Sequence, residues 1–381
     1  MVVPSMDFTE KEAEIYDRQI RLWGVEAQQR LRSARVYICG LSGVGAEVCK
    51  NLVLAGISVT LLDSVLVTAA HLGANFLLEG EGCIGKNVGA LPVRCAQAAR
   101  QTACTATLRS RHAPPHSTPP SLVQRALSSQ AKAQELNQLV RVSALGVGLE
   151  GLSDAELLSG SAAAPSSASP APASSHPLVI VCDQSPAALV AACARCRALA
   201  IPLLAGSTHG FHALAFQDSG PARAYLHTPP PARDGSQPPP EQRTAHFHSL
   251  ADILAARAAA AHAALAATKQ PQPTVHAWLA LHALAAAGAP SCSSAEQLQA
   301  ELREVLPAAG CSAAAVQAAV EACSSLLAGC CGATELSPVA AVAGAMVANE
   351  AMKAVTGKDA PMCSVLCFDG MGGSGGRVYK L

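Results

Sequence analysis

A glycine-rich loop between a strand pattern and a helix pattern constrains the fold of this chain more than any other feature. The apolar run Arg35–Cys39 predicts a buried strand, and residues 40–45 read G-L-S-G-V-G before a helix predicted over residues 44–55. Ser58–Leu62 predicts a second strand, which ends at Asp63. Strand, loop, helix and strand within about thirty residues form a βαβ unit. We therefore expect an α/β protein with a mostly parallel, doubly wound sheet.

The loop has the composition of a phosphate-binding turn. Glycines let the backbone turn tightly, and the helix that follows offers free N–H groups and the positive end of its dipole. Asp63 stands where a carboxylate can accept hydrogen bonds from ribose hydroxyls. Gly40, Gly43, Gly45 and Asp63 are therefore candidate nucleotide-binding residues. The glycine order is G-x-x-G-x-G rather than G-x-G-x-x-G, so a tight turn that binds nothing is the alternative.

Strands and helices continue to alternate further along the chain. Leu178–Cys182 predicts another buried strand, and Asp183 at its end is a further candidate nucleotide-binding residue. A helix over residues 186–199 follows, with a proline suited to its first turn. The later predicted elements are a strand at 201–205, a strand pair at 211–217 and 223–227, helices at 250–269, 275–287, 295–306 and 339–355, and a strand at 364–368.

Charge and composition exclude some partners and locations. The chain has 27 basic and 27 acidic residues, so bulk charge recruits neither nucleic acid nor a membrane surface. Residues 1–14 contain no apolar signal-peptide core, and we find no apolar run of about twenty residues. We expect a cytosolic or nuclear protein whose 15 cysteines are thiols. The Pro-, Ala- and Ser-rich segments 112–120, 159–177 and 227–242 are expected to be loops or linkers.

Three separated blocks of sequence share one family pattern. The first is Y-D-R-Q-I-R-L-W-G at residues 16–24, and the second spans residues 40–63. The third, residues 337–381, has a Pro-Val pair opening a helix that carries Gly344, Asn349, Glu350 and Lys353, then F-D-G at 368–370. Together they resemble the ThiF/MoeB-type adenylating fold of ubiquitin-like activating enzymes, a Rossmann-like fold. The blocks are most similar to the small, Aos-type subunits of SUMO-activating heterodimers.

The resemblance implies a division of labour between two subunits. Such enzymes use ATP to adenylate the C-terminal glycine of a modifier protein, and a cysteine then captures the modifier as a thioester. In the heterodimers one subunit holds the ATP site and the cysteine, and the other is a degenerate copy. This family places cationic side chains where this chain has Ala74, Val88 and Ala188, with Lys86 two positions before Val88. Because charge builds on the transferring phosphoryl group, those losses imply a regulatory subunit that is inactive alone.

The resemblance also implies which residue this subunit contributes. Arg18 would reach across the dimer to the partner's ATP phosphates as an arginine finger, and Arg21 is a second candidate. The alternative for Arg18 is a surface salt bridge with Asp17 or Glu14. ATP and Mg would lie in the partner's site, with none firmly bound here. The implied partners are a catalytic subunit, SUMO and a downstream conjugating enzyme, in the nucleus as well as the cytoplasm.

Two cysteines and a missing nucleophile complete the family comparison. Cys193 and Cys196 form a lone Cys-x-x-Cys without the second pair that a closed zinc site needs, so we predict no metal site. We assign no thioester cysteine, because the candidates in the second half lack a basic neighbour in sequence.

The resemblance divides the chain into four parts. Residues 1–34 would be an N-terminal helical segment with the dimer-reaching arginine, and 35–227 a pseudo-adenylation core with insertions near 112–120 and 159–177. Residues 228–336 would be a linker and Ala-rich helical insertion, and 337–381 a helix and strand that complete the fold. The alternatives are the small subunit of the neddylation-activating heterodimer, a self-sufficient ThiF/MoeB-type adenylyltransferase, an NAD-dependent oxidoreductase, and a scaffold without an enzymatic partner.

Overall fold

A computed structural model describes residues 8–78, 124–159, 177–230, 236, 238–269, 272–288, 294–330, 335–371 and 375–381. Lys86, Val88, the segment 112–120 and nearly all of 159–177 lie outside these residues. The helices are α1 (Glu10–Ile15), α2 (Asp17–Trp23), α3 (Val25–Ser33), α4 (Gly43–Leu54), α5 (Arg125–Glu135), α6 (Asp154–Ser159), α7 (Pro186–Ala198), α8 (Leu250–Ala266), α9 (Pro273–Ala286), α10 (Ala295–Ala308), α11 (Ala313–Cys330) and α12 (Ser337–Thr356). The strands are β1 (Arg35–Cys39), β2 (Ser58–Leu62), β3 (Val142–Leu145), β4 (Leu178–Cys182), β5 (Leu203–His209), β6 (His212–Asp218), β7 (Arg223–His227), β8 (Glu241–Ala245), β9 (Ser364–Asp369) and β10 (Gly375–Tyr379).

Eight of these strands form one sheet in the order β10-β9-β6-β5-β4-β1-β2-β3. The pairs from β5 through β4, β1 and β2 to β3 are parallel, whereas β5–β6, β6–β9 and β9–β10 are antiparallel. The prediction of an α/β protein with a mostly parallel, doubly wound sheet is confirmed. Among the described helices, none is long and apolar enough to cross a membrane.

Alternate residues of the parallel strands face two separate hydrophobic layers. On one face, Val36 and Ile38 of β1 pack in a cluster with residues of α4 and α12. On the other face, Tyr37 and Cys39 lie in a cluster that includes residues of α7 to α11. Because side chains alternate along a strand, a sheet covered on both faces needs apolar residues at every position, as the uninterrupted run Leu178–Cys182 has.

The helix α12 joins the end of the chain to the glycine-loop helix. Pro338 lies in its first turn, and its C-cap Gly357 adopts a left-handed conformation with φ of 64°. A Cβ added at Gly344 would lie 2.4 Å from the Cβ of Glu47, so α12 and α4 are in close contact there. Glu350 is buried, binds Lys353 at 2.7 Å, and accepts a hydrogen bond from the amide of Met362. These residues of the third sequence block therefore stabilise the packing of α12.

The structure corrects the predicted strand pair at residues 211–217 and 223–227. The strand β6 is buried along nearly its whole length and is paired on both sides, with β5 and with β9. No edge of β6 is left for β7, which instead pairs with β8 in a separate two-stranded sheet. The amide of Leu226 in β7 also donates to the carbonyl of Gly357, which ties this hairpin to the end of α12.

The helix predicted at residues 250–269 is present, but it is shorter and its backbone is broken. The helix α8 ends at Ala266, and the backbone from Ala255 to Ala258 departs from helical angles. Arg257 within this break forms ion pairs with Glu301 and Glu304, both on α10.

Candidate functional site

The candidate nucleotide-binding residues meet at the point where the strand order reverses. The strand β1 is paired with β2 on one side and β4 on the other. The loop after β1 leads to α4 on one face of the sheet, and the loop after β4 leads to α7 on the other face. In open α/β sheets, ligands bind in the crevice at the carboxyl ends of such strands. Gly40 follows β1 and Asp183 follows β4. Both therefore lie at this crevice, as do Gly43, Gly45 and Asp63.

The glycine loop is held tightly by the surrounding backbone. Gly40 has φ of 96°, and a Cβ there would lie 2.2 Å from the carbonyl oxygen of Cys182. Ser42 caps α4, because its hydroxyl accepts a hydrogen bond of 3.3 Å from the amide of Gly45. Buried Asn75 donates to the carbonyl of Leu41 at 2.7 Å. The loop and the first turn of α4 thus form a rigid crevice wall.

A carboxylate of the chain itself accepts a hydrogen bond from the first amide of α4. The amide of Gly43 donates to Oε2 of Glu335 over 2.5 Å. A Cβ added at Gly43 would lie 2.7 Å from the same oxygen, so glycine makes room for this contact. The N-terminus of a helix favours an anion there, because its N–H groups are free and its dipole end is positive. Glu335 was not among the candidates from the sequence, since it lies 292 residues from Gly43 along the chain.

Both carboxylate oxygens of Asp63 are engaged inside the protein. Its Oδ2 accepts from the amide of Leu41 at 2.6 Å, and its Oδ1 accepts from the amide of Val65 at 2.8 Å. Nε of Arg125, on α5, lies 2.9 Å from the same Oδ2. The contact is an ion pair whose N–H is not aligned as a hydrogen bond. Asp63 therefore braces the loop against α5 in this structure.

Asp183 holds an enclosed carboxyl group with one free oxygen. Its Oδ1 accepts from the amide of Thr208 at 2.8 Å, whereas Oδ2 has no hydrogen-bond partner among the described residues. Burial, and to a smaller extent the nearby Glu335 carboxylate, raise the pKa of Asp183 to about 7. A hydrogen bond with the Ser42 side chain lowers the pKa of Asp183 in part. Asp183 is therefore only partly ionised near neutral pH.

Two of the three predicted cation losses can be placed in the structure. Ala74 is buried beside Gly43, and its Cβ lies 3.0 Å from where a Gly43 Cβ would be. Ala188 is exposed in the first turn of α7, the helix that follows Asp183. Val88 lies outside the described residues. The cation that the structure does show at this crevice, Arg125, is already paired with Asp63.

Arg18 and Arg21 lie on α2, away from the crevice. Two contacts tie this part of the chain to the far end of α4. The side chain of Gln19 donates to the carbonyl of Leu54, and Asn137 bridges the hydroxyl of Tyr16 and the carbonyl of Val53. Since α4 has 12 residues, its two ends are separated by about 18 Å.

The two arginines of α2 differ in their contacts. Arg21 is exposed and forms an ion pair with Asp17 at 3.0 Å. Arg18 is exposed as well, and the structure records no ion pair between it and a described carboxylate. The surface salt bridge with Asp17 that was the alternative for Arg18 is thus made by Arg21 instead.

Cys193 and Cys196 are buried in the core cluster on the α7 face of the sheet. Burial raises the pKa of the Cys196 thiol to about 12, and burial also raises the pKa of Cys193. Within the described ranges, no group of three or more His, Cys, Asp and Glu side chains could hold a metal ion.

Comparison with known proteins agrees with this geometry. Residues 16–103 match the model of the ThiF family, so this part of the chain is similar to ThiF-type proteins. It contains α2, the glycine loop and the first two strands. The resemblance is confirmed over the first two sequence blocks, whereas the third, residues 337–381, lies outside the matched residues.

Relatives are matched over a short stretch. Over 80 residues the chain is 55% identical to SUMO-activating enzyme subunit 1 of Rattus norvegicus and of Homo sapiens, which covers 21% of this chain and 23% of each relative. It is 51% identical over 85 residues to SUMO-activating enzyme subunit 1B-1 of Arabidopsis thaliana, covering 22% of this chain and 27% of that protein. The match thus spans about a quarter of the length of these relatives.

Solved structures show weaker likeness over more of the chain. A crystal structure of selenomethionine-labelled PaaA is 13% identical with a TM-score of 0.46, covering 100% of this chain and 79% of that one. E. coli MccB crystallised with succinimide is 13% identical with a TM-score of 0.44, covering 93% of this chain and 68% of that one.

Proposed function

We propose that this chain is the non-catalytic subunit of a heterodimeric SUMO-activating enzyme. In this role it supports the ATP-dependent adenylation of SUMO, and its transfer to a thioester, by a catalytic partner subunit. The proposal also includes handover to a conjugating enzyme, in the nucleus and cytoplasm. The relatives named SUMO-activating enzyme subunit 1 support it over the 80 residues that match.

The position of Arg18 is the observation that carries this proposal. Arg18 is exposed beside Gln19, which is bound to the C-terminal end of α4. The glycine loop lies at the N-terminal end, about 18 Å away by the rise of the helix. An arginine at that distance does not serve the crevice of its own chain, so its exposed guanidinium is available to another protein.

The crevice of this chain does not fit a triphosphate. Glu335 already accepts a hydrogen bond from the Gly43 amide. Asp63 is held by an ion pair with Arg125 and by hydrogen bonds from two backbone amides. A triphosphate would bring more negative charge to a place that has three carboxylates, counting Asp183. We therefore place ATP and Mg in the site of the partner subunit.

Arg18 has the chemistry that this role requires. A guanidinium is permanently charged, and its planar fork can donate two parallel hydrogen bonds to phosphate oxygens. Arg21 remains a second candidate, although its pairing with Asp17 has to open first. An exposed ion pair of this kind stabilises a helix by less than about 1 kcal/mol, so the opening costs little.

The experiment is ATP–pyrophosphate exchange with SUMO and magnesium, with and without a catalytic SUMO-activating subunit. We expect no exchange by the chain alone and robust exchange by the mixture. Exchange by the chain alone would identify a self-sufficient adenylyltransferase instead. Exchange that appears only with the neddylation modifier and its catalytic subunit would identify the alternative small subunit.

The role of Arg18 is tested in the same assay. Arg18→Ala should lower the exchange rate of the heterodimer by at least about 100-fold, the usual effect of losing one charge-stabilising contact. Arg243→Ala is the control, because Arg243 is an exposed arginine that forms an ion pair with Glu241 in a separate hairpin. Size-exclusion chromatography must show both variants bound to the partner. A normal exchange rate for Arg18→Ala would show that Arg18 does not act on the partner's ATP phosphates.

A further inference from the structure

A cleft lies on the face of the sheet opposite to the glycine-loop helix α4. Residues of β4, β5 and β6 line it from the sheet, and residues of α7 and α9 line it from the helices. Its apolar lining belongs to the core cluster on the α7 face: Val181, Leu189, Ala205, Leu214, Phe216 and Trp278. Among them lie the polar side chains of Asp183, Ser207, His209 and His282, and exposed Gln184 also lines the cleft. An apolar cleft with a few convergent polar groups is the usual form of a small-molecule site.

Hydrogen bonds determine which ring nitrogen carries the proton in the two histidines. Nδ1 of His209 lies 3.1 Å from the carbonyl oxygen of Leu326, and Nδ1 of His282 lies 2.8 Å from that of Trp278. A carbonyl oxygen can only accept, so each Nδ1 is the N–H donor. Burial lowers the pKa of both histidines to about 4, so both rings are neutral at pH 7. Each Nε2 is therefore a hydrogen-bond acceptor.

The direction of the Ser207 hydroxyl follows from the state of His209. Its Oγ lies 3.0 Å from Nε2 of His209, and because this nitrogen carries no hydrogen, the hydroxyl donates to it. The lone pairs of Oγ then remain as acceptors. Nε2 of His282 has no hydrogen-bond partner among the described residues. The ring of His282 is also near His209, since a charge on His282 lowers the pKa of His209.

Asp183 lies beside Ser207 and adds a carboxylate to these acceptors. Its amide donates to the carbonyl of Gly206 and its Oδ1 accepts from the amide of Thr208, the residues on either side of Ser207. Its Oδ2 is buried and finds no partner in the described part of the chain. A buried polar atom without a partner is costly, so it marks a place for a ligand group or a water molecule.

The charges around the cleft favour a cation. The carboxylate of Glu335 is close enough to Asp183 to disfavour its ionised form, and a positive charge bound beside Asp183 would reverse that effect. None of the described residues that line the cleft is a lysine or an arginine. A ligand that brings a positive charge and several N–H donors therefore matches both the charge and the hydrogen-bonding groups.

We infer that this cleft binds a small primary amine in its protonated form. An ammonium group has three N–H donors and no acceptor, which complements Oδ2 of Asp183, Oγ of Ser207 and Nε2 of His282. Its carbon chain would pack against the apolar lining. A carboxylate or phosphate ligand would bring acceptors and negative charge to groups that are themselves acceptors. The inference concerns the isolated chain and holds whether or not the chain has a catalytic partner.

The test is isothermal titration of the isolated chain with n-butylamine hydrochloride at pH 7 and constant ionic strength. We expect saturable binding of butylammonium. Butanol and sodium butyrate have the same carbon chain with a neutral or a negative head group. Each should bind at least about tenfold more weakly, because hydrogen bonds to a charged group are lost.

Two variants test the assigned acceptors. Asp183→Asn should bind butylammonium at least about tenfold more weakly, since it removes the charge and keeps the shape. Asparagine tolerates the left-handed backbone of this position, where φ is 45°, so the variant should fold. Ser207→Ala removes one neutral acceptor and should weaken binding about threefold. Glu241→Gln is the matched control, because it neutralises an exposed carboxylate in the separate hairpin and should bind as the wild type does.

A second measurement reports on His282 directly. Long-range ¹H–¹⁵N spectra of labelled protein distinguish protonated from unprotonated ring nitrogens. Nε2 of His282 should be unprotonated in the free chain, and its resonance should shift when butylamine is added. Thermal unfolding establishes that each variant is folded, and Ser207→Ala carries the test if Asp183→Asn is not.

Four results would overturn the inference: no saturable binding of butylammonium, equal affinity for butyrate, full affinity of the folded Asp183→Asn variant, or a protonated Nε2 of His282. The first three measure the ligand, and the fourth measures the acceptor character of the cleft. None of them depends on SUMO or on a partner subunit. Failure here therefore leaves the proposed function intact, and failure of the exchange assay leaves this site intact.

Discussion

Replacing Arg125 with methionine tests whether its ion pair with Asp63 stabilises the folded protein. The two side chains are 9% and 2% exposed, and Nε of Arg125 lies 2.9 Å from Oδ2 of Asp63. Unit charges about 4 Å apart attract by about 4 kcal/mol at an effective dielectric of about 20. Removing one partner of a buried pair costs about 3–5 kcal/mol, because the other charge is left uncompensated. Two amides still donate to Asp63, so we expect Arg125→Met to lose about 3 kcal/mol of the free energy of unfolding.

The assay is urea unfolding at pH 7, as a double-mutant cycle with Asp63→Asn. If the charges interact directly, the coupling energy between the two positions should be at least about 2 kcal/mol, within the range for contacting residues. Arg243→Met is the matched control, since the Arg243–Glu241 pair is 49% and 54% exposed. An exposed pair contributes little, so this control should lose no more than about 1 kcal/mol.

A small effect at Arg125 would refute this reasoning. If Arg125→Met loses less than about 1 kcal/mol and the coupling is near zero, the ion pair does not hold Asp63. Asp63 would then be held in place by the amides of Leu41 and Val65 alone.

Two further predictions concern packing and pH. In chemical denaturation, Gly344→Ala should lower the free energy of unfolding by about 1–3 kcal/mol, because the new Cβ would lie 2.4 Å from the Cβ of Glu47. Gly73→Ala is the control: a Cβ there meets no atom within 4 Å, so the free energy of unfolding should change by less than about 0.5 kcal/mol. Burial lowers the pKa of His209, His262 and His282 to about 4 and that of His276 to about 3. The unfolded chain takes up these protons near pH 6.5, so stability should fall as pH drops from about 6.5 to about 4, although Asp183, with its raised pKa, opposes this in part. Unfolding curves across that range should show the decline and a shallower one for His262→Gln; unchanged stability on acidification would contradict the assignment.

Local sequence patterns were sufficient for the elements whose ends carry strong signals. The strand before Gly40 and the helix after it were predicted because an apolar run, glycines and a helical period follow each other directly. The helix α12 was predicted because a proline lies in its first turn and Gly357 ends it. Alanine-rich stretches gave less information, because alanine does not distinguish one helix face from another. For that reason the sequence showed neither the break in α8 nor the helix α11.

The occupants of the crevice could not be predicted from local patterns. Arg125 lies 62 positions after Asp63, and Glu335 lies 292 positions after Gly43. Neither stands in a motif, and each is an ordinary charged residue beside the end of a helix. They reach the glycine loop because α5 and α12 pack against the face of the sheet that carries α4. A contact that depends on how two helices pack appears only when the fold is known.

The glycine pattern itself needs no nucleotide to explain it. A Cβ at Gly40 would collide with the carbonyl of Cys182 at 2.2 Å, and one at Gly45 would collide with the carbonyl of Gly40 at 2.0 Å. Both collisions are with backbone, so no change of side-chain rotamer can relieve them. Glycine is therefore required here by the backbone around the loop, whatever the crevice holds. What separates a working site from a structural one is the charge around the loop, and in this chain Glu335, Asp63 and Asp183 surround it while Arg18 lies at the other end of α4.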